Sequence, residues 1–197
     1  LGRYSLDNAW RLDKILEIAA QNGIHIMLAL GYHGELMERE DYFHTNCWHL
    51  NPYNAKNGGP CHSPAEFWAN PDARRLYKQR LRYILARWGA YPQIFCFEFW
   101  NEVRAPAQWL REMGQFMRQN DMNRHLLTTT WGRHETWTLD EIDIVQVHHY
   151  GVDDSLNDSA PVLASHALRH TSEYPKPFLI GEFGIDWKRS DRDHDPQ

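Results

Sequence analysis

The sequence lacks the features that mark several large classes of protein. No run approaches the roughly 20 apolar residues that a membrane-spanning helix needs. The formal net charge of -5 gives no basic surface for nucleic acid or for an anionic membrane. The sequence has no Gly-x-Ser-x-Gly nucleophile motif and no His-Glu-x-x-His zinc motif. We therefore expect neither a nucleic acid nor a membrane as partner, and no metal or other cofactor.

Cysteine is also scarce, with three residues that form no metal-binding pattern. Cys47 and Cys61 flank one loop and could be bridged if the protein is secreted, whereas Cys96 lies in an apolar run and is expected to be a buried free thiol. The chain starts without Met and shows no signal peptide. It has the features of a trimmed segment. Its location stays open, with secretion or the periplasm favoured.

Short apolar runs that alternate with helical patterns make up most of the chain. This order is typical of βαβ units with a parallel sheet. The predicted strands cover residues 24–30, 94–100, 126–130, 142–148 and 178–183, and the predicted helices cover residues 5–22, 70–88, 107–120 and 160–171. Gly31-Tyr-His-Gly-Glu after the first strand does not fit the Gly-rich loop of a doubly wound sheet.

We therefore predict an α/β fold of the (β/α)8 TIM-barrel type. A closed barrel typically takes about 250 residues, so the chain is expected to be truncated to about five β/α units. The partial barrel would occupy residues 1–187, followed by a charged tail over residues 188–197. Its two open sheet edges would favour a homo-oligomer that covers them.

Polar residues follow all five predicted strands, at the end of the sheet where parallel α/β folds bind substrates. The first strand leads to His33 and the third to Trp131. The second leads to Asn101 and Glu102, the fourth to His148 and Tyr150, and the fifth to Glu182. Two carboxylates facing each other suit hydrolysis of a glycosidic bond, where one protonates the leaving oxygen and the other attacks the anomeric carbon.

These strand ends resemble a known family. Phe97-Glu98-Phe99-Trp100-Asn101-Glu102 resembles the Asn-Glu signature that ends the fourth strand of clan A glycoside hydrolases, which include the family 5 cellulases and mannanases. Pro177-Phe-Leu-Ile-Gly-Glu182-Phe-Gly is similar to their seventh-strand nucleophile motif, and His148-His149-Tyr150 to their His-x-Tyr motif. The resemblance covers strands three to seven. The family's Arg after strand two and Trp after strand eight have no counterpart here.

The resemblance implies a role for each matching residue. Glu102 would be the acid/base and Glu182 the nucleophile, with Asn101 on the sugar 2-hydroxyl and Tyr150 donating a hydrogen bond to Glu182. His148 would orient the carboxylates or the substrate. Two further residues, His33 and Trp131, would line the cleft. Glu98 is expected to be a buried carboxylate paired within the barrel floor.

The irregular stretch from Gly31 to Pro71 is rich in aromatic residues, which make up 13% of the chain. Forty residues without regular structure are uncommon unless they carry function. We expect this stretch to form a sugar-binding wall in which Trp48 stacks on a sugar ring. The alternative is an Ω-type loop that packs on its own aromatic side chains.

The prediction is thus a retaining glycoside hydrolase that cleaves a β-linked polysaccharide or oligosaccharide by double displacement. Two alternatives stay open. A non-catalytic carbohydrate-binding remnant of such a barrel would bind without turnover. A metal-dependent hydrolase would lose activity with a chelator.

Overall fold

The structure is a computed structural model that describes residues 2–39, 46–151 and 159–185. The predicted tail over residues 188–197 and the predicted domain boundary at residue 187 lie outside these ranges. In the described residues, no helix is both long enough and apolar enough to cross a membrane.

Strands and helices alternate along the described chain, as predicted. The strands are β1 (Ile26–Ala29), β2 (Ile94–Glu98), β3 (Leu126–Thr128), β4 (Val145–Gly151) and β5 (Phe178–Ile185). The α-helices are α1 (Leu6–Gln21), α2 (Glu66–Ala69), α3 (Pro71–Trp88), α4 (Ala107–Asn120), α5 (His134–Trp137) and α6 (Ala160–Glu173). Short 3-10 turns cover His33–Leu36, Trp48–Leu50 and Ala55–Asn57.

The helix boundaries follow from local capping chemistry. The Ser5 hydroxyl accepts the Asn8 N–H at 3.3 Å and begins α1. The Asn70 side chain accepts the N–H groups of Asp72 and Ala73 and begins α3, with Pro71 at the first helical position, where no N–H is needed. These caps fix how each helix returns to the sheet.

All strand pairs in the described residues are parallel. The order is β1-β2-β3 in one sheet and β4-β5 in the other. The two sheets meet where the Asp143 N–H donates to the Leu127 carbonyl at 2.8 Å and the Thr128 hydroxyl donates to the Ile144 carbonyl at 2.9 Å. The five strands therefore follow one another in chain order, and their carboxyl ends lie on the same side.

Strands β1 and β5 each pair with only one other strand of the described chain. The residues of β1 are partly buried or exposed, since β2 is the only described strand that pairs with β1. Ile24, just before β1, is 54% exposed, and Phe183 in β5 is 65% exposed. Within the described residues the two predicted edges are therefore unpaired, whereas the oligomer that would cover them stays a prediction.

The aromatic residues concentrate in the core. Phe67, Tyr77, Trp100 and Trp109 are buried between α2, α3, α4 and β2. Tyr77 and Trp100 are stacked, and the other ring pairs among these residues are edge-on or tilted. Such ring pairs stabilise a core beyond the area that they bury. Most of the aromatic residues that the structure describes belong to the core or pack against it.

The stretch from Gly31 to Pro71 corrects the prediction for Trp48. Its indole is only 3% exposed and belongs to the core, so it cannot stack on a sugar in this conformation. Asn side chains hold the stretch together: Asn51 donates to the Glu35 carbonyl at 2.8 Å and Asn54 to the Trp48 carbonyl at 3.0 Å. Among the described residues of this stretch, Trp48, Tyr53 and Phe67 are buried, whereas Tyr32 is 36% exposed. The described part of the stretch thus favours the alternative, a loop that packs on its own aromatic side chains, and residues 40–45 lie outside the described ranges.

The three cysteines are free thiols in the structure. Cys47 is half-buried and lies 3.2 Å from the Tyr32 hydroxyl, and Cys61 is fully buried. Cys96 is fully buried, as predicted, and burial raises the pKa of its thiol to about 12, which disfavours the reactive thiolate.

Candidate active site

Backbone pairing continues past the ends of the first strands and brings their polar residues together. The Asn101 N–H donates to the Gly31 carbonyl at 2.8 Å, and the Thr130 N–H donates to the Trp100 carbonyl at 2.9 Å. Gly31 is needed here because a Cβ atom at this position would lie 2.7 Å from the Trp100 ring. The segments that follow β1, β2 and β3 are therefore held side by side.

Glu102, which follows these paired backbone segments, has an unusual backbone conformation. Its φ angle is 56°, in the left-handed region that non-glycine residues rarely adopt. Its N–H donates to the Thr130 hydroxyl at 3.2 Å. The Glu102 carboxylate lies 3.0 Å from His148 Nδ1 and 3.6 Å from His33 Nδ1.

Glu182 on β5 receives three polar contacts. Asn101 Nδ2 donates to Glu182 Oε1 at 3.2 Å, and the Tyr150 hydroxyl donates to Oε2. His148 Nδ1 lies 3.4 Å from Oε2. Burial, followed by the hydrogen bond to Glu182, raises the pKa of Tyr150 above its ordinary value, so the phenol stays protonated as a donor.

Together, Glu102, His148 and Glu182 form a compact group. One ligand atom from each lies within 4.8 Å of the other two. The group could hold a divalent cation, and it could equally place two carboxylates on either side of a reacting atom. In both cases His148, whose side chain is only 2% exposed, contacts both carboxylates through Nδ1, at 3.0 Å from Glu102 and 3.4 Å from Glu182.

Sequence comparison identifies the group to which the chain belongs. The sequence model of the family described as Cellulase (glycosyl hydrolase family 5) matches residues 2–197. The chain belongs to glycosyl hydrolase family 5.

Individual relatives agree with this family 5 assignment. Mannan endo-1,4-beta-mannosidase 1 of Oryza sativa subsp. japonica is 25% identical over 234 aligned residues, which cover 95% of this chain and 52% of the relative. The hyperthermostable endo-1,4-beta-D-mannanase from Thermotoga petrophila RKU-1 has a similar structure, with a TM-score of 0.69 at 18% identity. That match covers 93% of this chain and 62% of the mannanase.

The comparison confirms the predicted fold class. The described residues form five consecutive β/α units of a TIM-barrel glycoside hydrolase fold. The family 5 chain spans about half the length of the curated relative that it matches.

A buried carboxylate lies beneath the site of this family 5 chain. Glu98 is 1% exposed and accepts hydrogen bonds from the Thr130 hydroxyl and, at 3.0 Å, from Gln146 Nε2. Burial raises the pKa of Glu98, and the bond from Thr130 partly opposes this shift. The predicted buried, paired carboxylate is therefore confirmed.

Sequence reasoning missed the two partners of Glu98. Thr130 connects Glu98 to the Glu102 backbone. Gln146 lies under Gly181, where a Cβ atom would come within 2.7 Å of Gln146 Nε2. The run Thr128-Thr129-Thr130 at a strand end and a Gln inside an apolar strand were the available signals, since buried polar side chains require partners.

Six of the eight predicted site residues lie together: His33, Asn101, Glu102, His148, Tyr150 and Glu182. Trp131, which follows β3, lines a cavity together with His148 and is 45% exposed, with a φ of 55°. Trp48 does not reach the site because it is buried in the core. The neighbouring His149 points away from the site and contacts His166 on α6, with ring centroids 5.1 Å apart.

Proposed function

We propose that this chain is a retaining β-glycoside hydrolase, with Glu102 as acid/base and Glu182 as nucleophile. The observation that carries the proposal is the spacing of the two carboxylates, which have oxygens within 4.8 Å of each other. Retaining enzymes hold these groups about 5–5.5 Å apart, whereas inverting enzymes leave about 6.5–9.5 Å for a water molecule.

The contacts suit the two steps of a double displacement. Glu182 attacks the anomeric carbon as Glu102 protonates the leaving oxygen, and Glu102 then takes a proton from the water that releases the sugar. Asn101 and Tyr150 donate to different oxygens of Glu182, so its ionised form is stabilised and oriented. Asn101 would also donate to the sugar 2-hydroxyl, and His33 and Trp131 would line the cleft.

The substrate proposed is a β-1,4-linked polysaccharide cleaved internally, with mannan as the first polymer to test. The relatives named as mannanases support this choice. The structure itself supports only the carbohydrate class, through the paired carboxylates and the half-exposed indole of Trp131, since a flat apolar ring suits the C–H face of a sugar.

A non-catalytic carbohydrate-binding role is the second candidate. It is favoured by β1 and β5, which each lack a second neighbouring strand in the described residues. An open cleft would hold a sugar without excluding water from the reacting atoms. This candidate predicts saturable binding of an oligosaccharide with no product.

The deciding experiment is burst release of the leaving group from an aryl β-mannoside and an aryl β-glucoside. The proposal expects a burst close to one equivalent of enzyme, its loss in Glu182→Gln, and normal turnover in Glu135→Gln, which changes an exposed glutamate on α5. Binding without release by the unmodified chain would favour the non-catalytic role. Loss of turnover with a chelator would instead favour a metal-dependent hydrolase.

A further inference from the structure

A cavity of about 370 Å³ adjoins the candidate active site, between the segment after β3 and helix α6. Two residues belong to both places: His148 contacts Glu102 and Glu182, and Trp131 stands at the end of β3. The cavity therefore continues the cleft beyond the paired carboxylates, on the side of α6.

The cavity wall is basic. It contains Arg104, Arg133, Arg169, His166 and His170, and none of the described residues that line it is a carboxylate. The whole chain carries a formal net charge of -5, so composition alone would not concentrate positive charge here. Within the described ranges, no hydrogen bond or ion pair engages the guanidinium of Arg104 or Arg133.

His170 adds a buried donor without an acceptor. An arginine side chain can only donate, and Arg169 Nη2 lies 3.4 Å from His170 Nε2. In the neutral imidazole Nε2 is then the acceptor, which assigns the ring proton to Nδ1. His170 is only 9% exposed, and its Nδ1 has no hydrogen-bond partner among the described residues. A buried donor of this kind favours a ligand that brings an acceptor.

We propose that this cavity binds an anionic group carried by the carbohydrate substrate, either the carboxylate of a uronic acid or a sulfate ester. The inference rests on the proposed function, because it takes the occupant to be a sugar bound across the cleft. Guanidinium groups pair with carboxylate and sulfate through two parallel hydrogen bonds. The exposed face of Trp131 would carry the sugar ring that brings the anion into the cavity.

The test is a calorimetric titration of the full chain carrying Glu182→Gln, which prevents turnover. Three β-1,4-linked tetrasaccharides are compared: one with a glucuronic acid branch, its carboxyl-reduced neutral form, and one with a sulfate ester. The two charged sugars should bind about fivefold more tightly than the neutral one, since one charge-assisted contact contributes about that factor. The preference should shrink at high salt, where exposed charges are screened.

Arg104→Gln and Arg133→Gln should each remove most of the preference for the charged sugars. Arg111→Gln, which changes an exposed arginine on α4, should leave it intact. Circular dichroism of each variant checks that the fold is kept. Equal binding of charged and neutral sugars would overturn the anionic site and leave the proposed function standing.

A preference that persists in both arginine variants would place the anion elsewhere and overturn the assignment. If the affinity of inorganic sulfate, measured by competition, equals the affinity of the sulfated sugar, the cavity binds a free anion. The proposal of a sugar subsite then fails. If none of the three sugars binds, the proposed function falls together with the inference.

Discussion

The connection between Glu98, Thr130 and Glu102 predicts that one buried hydroxyl group positions Glu102, the proposed acid/base. Thr130 is fully buried. Its hydroxyl donates to the Glu98 carboxylate and accepts the Glu102 N–H at 3.2 Å. Replacing Thr130 with Val keeps the shape of the side chain and removes these two hydrogen bonds, together with the 3.2 Å contact between the hydroxyl and the Trp100 carbonyl.

The expected loss of stability follows from the two groups that lose their partner, the Glu98 carboxylate and the Glu102 N–H. A hydrogen bond to a charged group contributes about 1.5–3 kcal/mol, and the released Glu102 N–H adds to this cost wherever water cannot reach it. We expect Thr130→Val to lower the free energy of unfolding by about 2–4 kcal/mol. Glu102 would also lose a contact that holds its left-handed backbone, which intrinsically costs about 1–2 kcal/mol.

Thr128 provides a matched control on the same strand. It is equally buried, but its hydroxyl donates at 2.9 Å to the Ile144 carbonyl, a neutral acceptor with no contact to Glu102. Thr128→Val should cost only about 1 kcal/mol and leave kcat nearly unchanged. Thr130→Val should lower kcat about 10- to 100-fold, because a displacement near 1 Å of a catalytic group has effects of this order.

The assay combines urea unfolding with turnover of an aryl β-glycoside, measured well below each variant's unfolding transition. Comparison of the two variants separates positioning from stability. If both lower kcat by the same factor, or if Thr130→Val loses stability without any change in kcat, then Thr130 serves packing alone and the positioning argument is refuted.

Four further predictions concern other parts of the chain. Burial raises the pKa of Glu98 above its ordinary 4.5. The wild type should therefore lose stability relative to Glu98→Gln as pH rises through that raised pKa. Denaturant unfolding at several pH values measures this difference. Because burial lowers the pKa of His170 below 6.5, the wild type should lose stability as pH falls from 6.5, and His170→Phe should lose less over the same range. Gly31→Ala should destabilise by about 1–3 kcal/mol, since its Cβ atom would lie 2.7 Å from Trp100; normal thermal stability would contradict this. The chain should self-associate with rising concentration in light scattering, through the open edges near Ile24 and β5; a strict monomer at high concentration would count against it.

The order of the strands and the group of residues at their ends could be predicted from the sequence, because both depend on short-range patterns. Apolar runs identify the strands, and a parallel sheet then brings Asn101, Glu102 and Glu182 to the same edge without any further information. The predicted ends were one or two residues off at most strands, since pairing of neighbours decides where regular structure stops.

The surroundings of the site could not be predicted, because they depend on contacts between residues far apart in the chain. Glu98 meets Thr130 across 32 residues and Gln146 across 48. The burial of Trp48 could not be predicted from the sequence either. An aromatic residue in a loop is equally compatible with a binding wall and a packed core, and only the fold of the whole segment decided that it is buried.

Two residues with left-handed backbone show how the predictable strand ends depend on contacts that the sequence does not reveal. Glu102 and Trp131, which follow β2 and β3, have φ angles of 56° and 55°, and neither residue type favours that region. Local sequence preference therefore opposes the conformation, and contacts from other strands must hold it. Thr130 lies where those contacts converge: it precedes Trp131, accepts the Glu102 N–H and donates to buried Glu98. We therefore infer that buried Glu98, through Thr130, stabilises the strained backbone of Glu102. This conformation directs the Glu102 side chain toward Glu182.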